Sequence, residues 1–106
     1  MFELNIKAND NETMVIAAKG EIDIYSAPSF KDKLYNWLDD GHKNIVLDFS
    51  DLEYIDSMGL GILVGALKRI KERDGKIVVK NPRSTIRKLF KITGLDKVFI
   101  MEEAEQ

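Results

Sequence analysis

The sequence of 106 residues contains no cysteine, so it can form neither a disulfide nor a metal site built on thiolates. No apolar stretch has the length of a membrane span, and the first residues lack the basic start and apolar block of a signal peptide. These absences predict a cytoplasmic protein without a membrane partner. The chain also has no internal repeat, linker or low-complexity segment, and we assign residues 1–106 to a single domain.

Groups for catalysis and for cofactor binding are equally scarce. A serine hydrolase needs a base beside its nucleophile, and the G-x-S-x-G elbow that presents such a serine fails at Ile55. The only histidine, His42, follows a glycine in a predicted loop, and we interpret it as a surface residue. No glycine-rich phosphate loop with a lysine is present. The sequence therefore predicts neither an enzyme nor a cofactor.

Charge gives no reason to expect nucleic acid as a partner. The net charge is −2, with an acidic excess in residues 1–53 and a basic excess in residues 54–106. The basic residues fall on predicted outer faces of helices with few aromatic residues among them, which is typical of solvated surfaces. Asp48, Asp51 and Asp56 can gather near one sheet edge, but their spacing alone does not predict a metal site.

Strand and helix patterns alternate along the chain. The chain is predicted to begin with a hairpin, because apolar residues alternate at 2–6, a turn follows at 9–11 and an apolar run follows at 14–18. Further strands are predicted at 45–49, 76–80 and 98–101. Serine N-caps predict three helix starts, at Ser26, Ser57 and Ser84. This order predicts an α/β domain with a mixed β-sheet.

The ends of these elements are also predicted. Glycines are expected to close the three helices: Gly41, Gly75 and Gly94. The apolar run at 45–49 is nearly continuous, which is typical of a central strand covered on both faces. Residues 102–106 are expected to form a frayed tail or one short helical turn.

The most informative segment spans residues 56–61 and reads Asp-Ser-Met-Gly-Leu-Gly. Ser57 lies at the predicted helix start, where serine is a preferred N-cap, and it is therefore presented rather than buried. Gly59 and Gly61 follow, although alanine suits a helix better by roughly 0.5–1 kcal/mol at each position. Gly61 and Gly65 can form a small-residue strip for packing against the sheet. Gly59 is less easily explained in that way. Close approach by another molecule is another reason for glycine at both positions, 59 and 61.

Three separated segments lie in one register along nearly the whole chain: Gly20-Glu21-Ile22-Asp23, Asp56-Ser57-Met58-Gly59-Leu60-Gly61 and Arg87-Lys88-Leu89-Phe90-Lys91-Ile92-Thr93-Gly94-Leu95. Together they resemble the bacterial anti-sigma factor antagonists of the STAS family. The resemblance implies a STAS-like domain that is a binding module and not an enzyme. Met58 departs from the pattern, since a small polar residue is common there, and we expect it to affect which kinase fits.

The resemblance also implies a switching cycle. The unphosphorylated form binds an anti-sigma factor that is also a serine kinase, and the sigma factor is released. That kinase uses ATP to phosphorylate the serine that matches Ser57, which ends binding, and a separate phosphoserine phosphatase resets the protein. An alternative is a STAS-type nucleotide-binding or scaffold module that regulates a target other than a sigma factor. Longer family members continue into a C-terminal helix, which this sequence leaves open.

The residues around Ser57 suit such a switch. A phosphate there adds about −1.5 to −2 charges at a helix N-terminus, where the dipole and free N–H groups favour an anion. Asp56 and Asp23 oppose a further negative charge or an acidic partner surface. The predicted partner-contact edge consists of seven residues: Asp23, Ser26, Asp56, Met58, Gly59, Leu60 and Gly61.

Overall fold

The predicted hairpin opens the structure, a computed structural model that describes residues 1–103. Strand β1 (Phe2–Asn9) pairs antiparallel with β2 (Thr13–Ile22), and the register shifts between Ile6 and Ala8. The Asp10 carboxylate accepts hydrogen bonds from the backbone N–H groups of Glu12 and Thr13, both at 2.8 Å, which fixes the turn. These bonds lower the pKa of Asp10 below its ordinary value.

Within residues 1–103, three more strands and three α-helices follow the hairpin: α1 (Ala27–Leu38), β3 (Asn44–Ile55), α2 (Ser57–Lys71), β4 (Lys76–Lys80), α3 (Ser84–Thr93) and β5 (Ile100–Glu102). A 3₁₀ helix at Leu95–Lys97 precedes β5. The strand order is β1-β2-β3-β4-β5, and every pair after the hairpin is parallel. The predicted α/β fold with a mixed sheet is confirmed.

The last strand begins later than expected. β5 pairs with β4 at the sheet edge, but it starts at Ile100 and includes Glu102, which the sequence assigned to the tail. The backbone N–H of Asn81 donates to the Glu102 carbonyl at 2.6 Å, so a long-range contact holds this residue. The predicted tail or turn beyond Glu103 lies outside the described residues.

One face of the sheet carries the hydrophobic core. Buried strand residues stand beside each other in register: Met14, Ile45 and Ile77 in one row, and Ile16, Leu47 and Val79 in the next. The helices cover this face with their own buried side chains: Phe30, Leu34, Leu38, Leu63, Leu67, Ile70, Ile86 and Phe90. Burial of this apolar area is the main force that holds the fold together.

The opposite face of the sheet is partly open, so the prediction of a central strand covered on both faces is wrong. Buried and half-buried residues alternate along the first half of β3, with Val46 and Asp48 half-buried on the open side. Asp48 accepts hydrogen bonds from Lys7 Nζ at 3.0 Å and from Ser50 Oγ at 2.6 Å. Burial alone would raise the pKa of Asp48, but these bonds outweigh it and lower the pKa.

Helices α1 and α2 pack closely because of one glycine. The Tyr35 hydroxyl donates to the Ile62 carbonyl at 2.9 Å, and a Cβ at Gly65 would collide with that hydroxyl. The Arg69 guanidinium lies 4.4 Å above the Tyr35 ring, and burial raises the pKa of the tyrosine. None of the helices in the described part of the chain has the length and apolar character needed to cross a bilayer.

The helix ends confirm some predicted caps and correct others. Gly41 and Gly94 adopt the left-handed conformation after α1 and α3, as expected. Asp74, with φ of 58°, makes the corresponding turn after α2, and Gly75 instead leaves room for the Lys43 carbonyl oxygen. The N-cap prediction for Ser84 is wrong. Arg83 remains extended after a proline, so the serine is the first helical residue.

His42 is buried, so its prediction as a surface residue is wrong. Only 8% of the residue is exposed, and its Nε2 contacts the Asn9 side-chain oxygen. The hairpin turn folds over it, because the Glu12 carbonyl accepts hydrogen bonds from the N–H groups of Lys43 and Asn44 at 3.0 and 2.9 Å. Arg73 donates to the His42 carbonyl at 2.9 Å and closes this end of the molecule.

Candidate functional site around Ser57

The site lies where β2 and β3 end side by side. Ile22 and Ile55 are register partners, and the backbone N–H of Asp56 donates to the Ile22 carbonyl at 3.1 Å. Because parallel strands bring their carboxyl ends to one edge, Asp23 and Asp56 leave the sheet at the same edge. The structure therefore brings together the segment that ends at Asp23 and the segment that begins at Asp56.

Asp56, and not Ser57, is the N-cap of α2, which corrects the sequence prediction. Asp56 is still extended, and its Oδ1 accepts the Gly59 N–H at 3.1 Å. A carboxylate at this position both caps the helix and complements its dipole. Ser57 is the first helical residue and is exposed, as predicted, and its hydroxyl makes no hydrogen bond within residues 1–103. The hydroxyl is therefore free to react.

The loop between β2 and α1 is held by Asp23 and Ser26. The Asp23 carboxylate accepts from the N–H groups of Tyr25 at 2.9 Å and Ser26 at 3.1 Å. The Ser26 hydroxyl donates to the Glu21 carbonyl at 2.7 Å and accepts from the Asp23 N–H at 2.9 Å. Ser26 stands at the N-cap position of α1, but its hydroxyl makes no capping bond, because it closes this loop instead.

Hydrogen bonding also sets the charge of Asp23. The Ser26 N–H makes the largest contribution, and together these bonds lower the pKa of Asp23 below its ordinary value. The carboxylate is therefore ionised well below neutral pH. It fixes the loop and adds a negative charge near Ser57.

Two exposed apolar residues on this loop were missed by the sequence analysis. Ile24 is 61% exposed and Tyr25 is 90% exposed, while Met58 on α2 is 48% exposed. The signal was present in the sequence, because a large apolar pair directly follows the aspartate that ends β2, where a turn normally carries polar residues. Exposed apolar side chains therefore occur on both segments that leave the sheet at this edge, the loop after β2 and the start of α2.

A shallow cleft of about 370 Å³ lies between α1 and α2 next to Met58. Its lining is mostly apolar, with one charge of each sign: Ala27, Pro28, Lys31, Asp32, Met58 and Ile62. Met58, the residue after Ser57, lines the cleft, so the cleft begins next to the start of α2. It extends the exposed apolar surface along the two helices.

The four residues after Ser57 divide between the two sides of α2. Met58 and Gly61 are exposed, whereas Gly59 and Leu60 are buried. A Cβ at Gly59 would lie 2.7 Å from both Ile22 Cγ2 and Ile55 Cγ1, so packing against the sheet explains this glycine. A Cβ at Gly61 would meet nothing within 4 Å. The expectation that Gly61 packs with Gly65 against the sheet is therefore wrong.

The acidic residues weighed as a metal cluster are not gathered in one place. Asp48 is tied to Lys7 on the open face of the sheet. It precedes Asp56 by eight positions along an extended strand, which corresponds to roughly 25 Å. No group of three or more potential metal ligands is found within the described residues.

The geometry matches that of a known class of protein. The chain belongs to the STAS domain family, which matches residues 3–106. The resemblance that the sequence indicated is thus confirmed.

Among its relatives, the anti-sigma-B factor antagonist of Bacillus subtilis (strain 168) is 37% identical over 95 residues, which cover 90% of this chain and 85% of the relative. The anti-sigma-B factor antagonist of Listeria monocytogenes is 32% identical over 102 residues, or 96% and 90% of the two chains.

Solved structures of similar proteins include both states of one antagonist. The anti-sigma factor antagonist SpoIIAA in its unphosphorylated form matches 100% of this chain and 90% of its own, with a TM-score of 0.82 and 27% identity. The Bacillus cell fate determinant SpoIIAA in the phosphorylated form matches 100% and 93%, with a TM-score of 0.75 and 28% identity. The fold of this chain is thus similar to SpoIIAA with and without phosphate.

Proposed function

We propose that this chain is an anti-sigma factor antagonist whose binding is switched off by phosphorylation of Ser57. The observation that carries the proposal is the exposed, unbonded Ser57 hydroxyl at the start of α2, next to exposed Met58 and at the sheet edge where the loop with exposed Tyr25 begins. The relatives support it, since they are anti-sigma-B factor antagonists, and the SpoIIAA structures support a phosphorylated state.

In the unphosphorylated state, the apolar surface around Ser57 binds the anti-sigma factor. Ile24, Tyr25 and Met58 leave water on binding, and full burial of such a side chain contributes about 1.5–3 kcal/mol. An anti-sigma factor held in this way no longer holds its sigma factor. The sigma factor is then free to direct transcription in the cytoplasm.

The bound anti-sigma factor then acts as a serine kinase on Ser57. The Ser57 Oγ attacks the γ-phosphorus of ATP, the new Oγ–P bond forms as the bond to ADP breaks, and the hydroxyl proton passes to a base of the kinase. The product carries about −1.5 to −2 charges next to the carboxylate of Asp56 and near that of Asp23. Repulsion and desolvation of these charges at the interface drive the partner away.

The fold tolerates the phosphate because of where it is attached. The N–H groups of Ser57 and Met58 lie in the first turn of α2 and have no helical partner, so they and the helix dipole favour an anion. The similarity to both forms of SpoIIAA supports a fold that persists through the cycle. A separate phosphoserine phosphatase completes the cycle by restoring the hydroxyl.

The domain performs no catalysis of its own in this proposal. Its single histidine, His42, is bonded to Asn9 beyond the opposite end of β3 and cannot act as a base for Ser57. The purified protein is accordingly expected to hydrolyse neither esters nor ATP. Hydrolysis of an ester by the wild type, abolished in Ser57→Ala, would contradict this part of the proposal.

Intact-mass measurement tests the site of phosphorylation. With ATP and the purified anti-sigma factor kinase from the same genome, the wild type is expected to gain one phosphate and Ser57→Ala none. Ser84→Ala is a matched control, because Ser84 is also an exposed serine at the first position of a helix. If phosphorylation persists in Ser57→Ala and disappears in Ser84→Ala, then Ser84 is the phosphorylated residue and the assignment to Ser57 is wrong.

A further inference from the structure

Six of the seven glycines are explained by the folded chain itself. Three adopt a positive φ that disfavours other residues: Gly20, Gly41 and Gly94. Three more leave no room for a Cβ although their φ is ordinary: Gly59, Gly65 and Gly75. Gly61 is the exception, because its φ lies outside the positive range and a Cβ there would meet no atom of the described chain within 4 Å.

An unexplained glycine at this position weakens the fold. Gly61 lies in the second turn of a 15-residue helix, where alanine is the better helix former. Within α2 it is exposed to solvent and stabilises no neighbour. The folded chain therefore gives no reason for this glycine, which leaves contact with another molecule as the benefit to consider.

The position of Gly61 indicates what that benefit is. Residues four apart lie on the same side of a helix, so Gly61 stands one turn beyond Ser57 on the same exposed face. Met58 and Ile62 flank it toward the cleft between α1 and α2. Any kinase whose active site reaches the Ser57 hydroxyl must cover this face. A missing side chain lets such a molecule come closest here.

We propose that Gly61 is the point at which the main chain of the anti-sigma factor lies directly against α2, in a contact that a Cβ would block. The inference rests on the proposed function for the identity of the partner. It adds a residue that controls binding and phosphorylation by shape alone, without charge. It also assigns the two neighbouring glycines different roles, with Gly59 serving the fold and Gly61 serving the complex.

Substitution at Gly61 separates these roles. Gly61→Ala is expected to raise the melting temperature of the isolated domain by roughly 3–6 °C, because alanine favours the helix and meets open space. Affinity for the purified anti-sigma factor kinase from the same genome is expected to fall at least tenfold. Gly61→Leu is expected to reduce affinity further while keeping the domain at least as stable as the wild type, because leucine is also a good helix former.

Two controls make the test specific. Lys68→Ala changes an exposed residue of the same helix, in its last turn, and is expected to leave affinity within about twofold of the wild type. Circular dichroism of each variant shows whether the helix content is kept. Loss of affinity in a variant that is folded and more stable than the wild type cannot arise from unfolding.

The outcomes distinguish this inference from the proposed function. If the wild type binds the kinase and is phosphorylated on Ser57, but Gly61→Ala and Gly61→Leu bind equally well, the contact at Gly61 is refuted and the function stands. If the wild type does not bind the kinase at all, both are refuted. If affinity falls in the order glycine, alanine, leucine while stability rises or holds, the contact is supported.

Discussion

The two ends of the sheet handle their polar and apolar groups in opposite ways. At the hairpin end, backbone carbonyls are bonded across segments, with Glu12 accepting two N–H groups and His42 accepting from Arg73. At the Ser57 end, the Ser57 hydroxyl makes no hydrogen bond within the described residues, and the Ile24 and Tyr25 side chains are exposed to solvent. The first arrangement serves stability. The arrangement at the Ser57 end contributes less to local stability, but it leaves a surface that can bind and be modified, which is typical of functional sites.

The hairpin end gives the largest expected loss of stability. In Gly75→Ala the new Cβ collides with the carbonyl oxygen of Lys43, a backbone atom that cannot move away as a side chain does. We expect the free energy of unfolding to fall by about 3 kcal/mol. Urea unfolding of the isolated variant measures it. Affinity for the anti-sigma factor, corrected for the folded fraction, should be unchanged, and a specific loss of affinity would break the distinction between the two ends.

The Ser57 end gives the largest expected loss of affinity for the least change in stability. Tyr25→Ala removes an aromatic side chain that is 90% exposed, so the free energy of unfolding should change by less than about 0.5 kcal/mol. If Tyr25 anchors the complex, binding should weaken by about 2 kcal/mol, or roughly thirtyfold. Titration calorimetry with the anti-sigma factor measures this change.

Ile92→Ala is the matched control for Tyr25→Ala. Ile92 is also a large exposed apolar residue, at 72%, but it lies on α3 and outside the Ser57 surface. Its substitution should leave both stability and affinity nearly unchanged. Equal losses of affinity in the two variants would show that exposed apolar area in general, rather than the surface around Ser57, governs binding.

Gly59→Ala tests the boundary between the two roles within the site. Alanine gains helix propensity, but its Cβ would press on the Ile22 and Ile55 side chains 2.7 Å away. We expect a net loss of about 1–2 kcal/mol in the free energy of unfolding, measured by thermal melting of the partner-free variant. A raised melting temperature would show that Gly59 does not pack tightly against the sheet.

The smallest expected effect is a pH dependence of the free energy of unfolding, to which a carboxylate at each end of the sheet contributes. Asp23 has a folded-state pKa below its ordinary value of 3.8, so it stabilises the fold above that pH. This contribution is lost as the pH falls through the folded-state pKa. The difference in free energy of unfolding between wild type and Asp23→Asn should therefore be constant near neutral pH and shrink below about pH 4.

Asp10 provides the comparison at the hairpin end. Its pKa is lowered by backbone N–H groups in the same way, so Asp10→Asn should show the same direction of pH dependence. Urea unfolding between pH 2.5 and 7 measures both. If the difference in free energy of unfolding between wild type and either variant grows as the pH falls, that carboxylate does not stabilise its loop in the ionised form.

The sequence predicts the elements of this fold well, because they depend on local patterns. Alternating apolar residues mark the hairpin, and Gly94 marks the end of α3. The N-cap of α2 was misassigned since Asp56 and Ser57 are both good caps and adjacent. The choice between them depends on where β3 ends, which its pairing with β2 sets.

Long-range contacts account for the other errors. His42 is buried by a hairpin turn more than 30 positions away, which no local pattern reveals. The roles of Gly59 and Gly61 depend on which side of α2 faces the sheet. That signal was present, because Gly59 precedes the buried Leu63 by four residues and Gly61 precedes the exposed Lys68 by seven.

The most direct test of the switch compares the two purified forms of the protein in one binding experiment. We expect protein phosphorylated on Ser57 to bind the anti-sigma factor at least tenfold more weakly than the unphosphorylated protein, while its melting temperature stays within a few degrees. Equal affinity of the two forms would contradict the proposal that phosphorylation of Ser57 ends binding. So would a loss of affinity that accompanies unfolding, because the phosphate would then act on the fold and not on the surface.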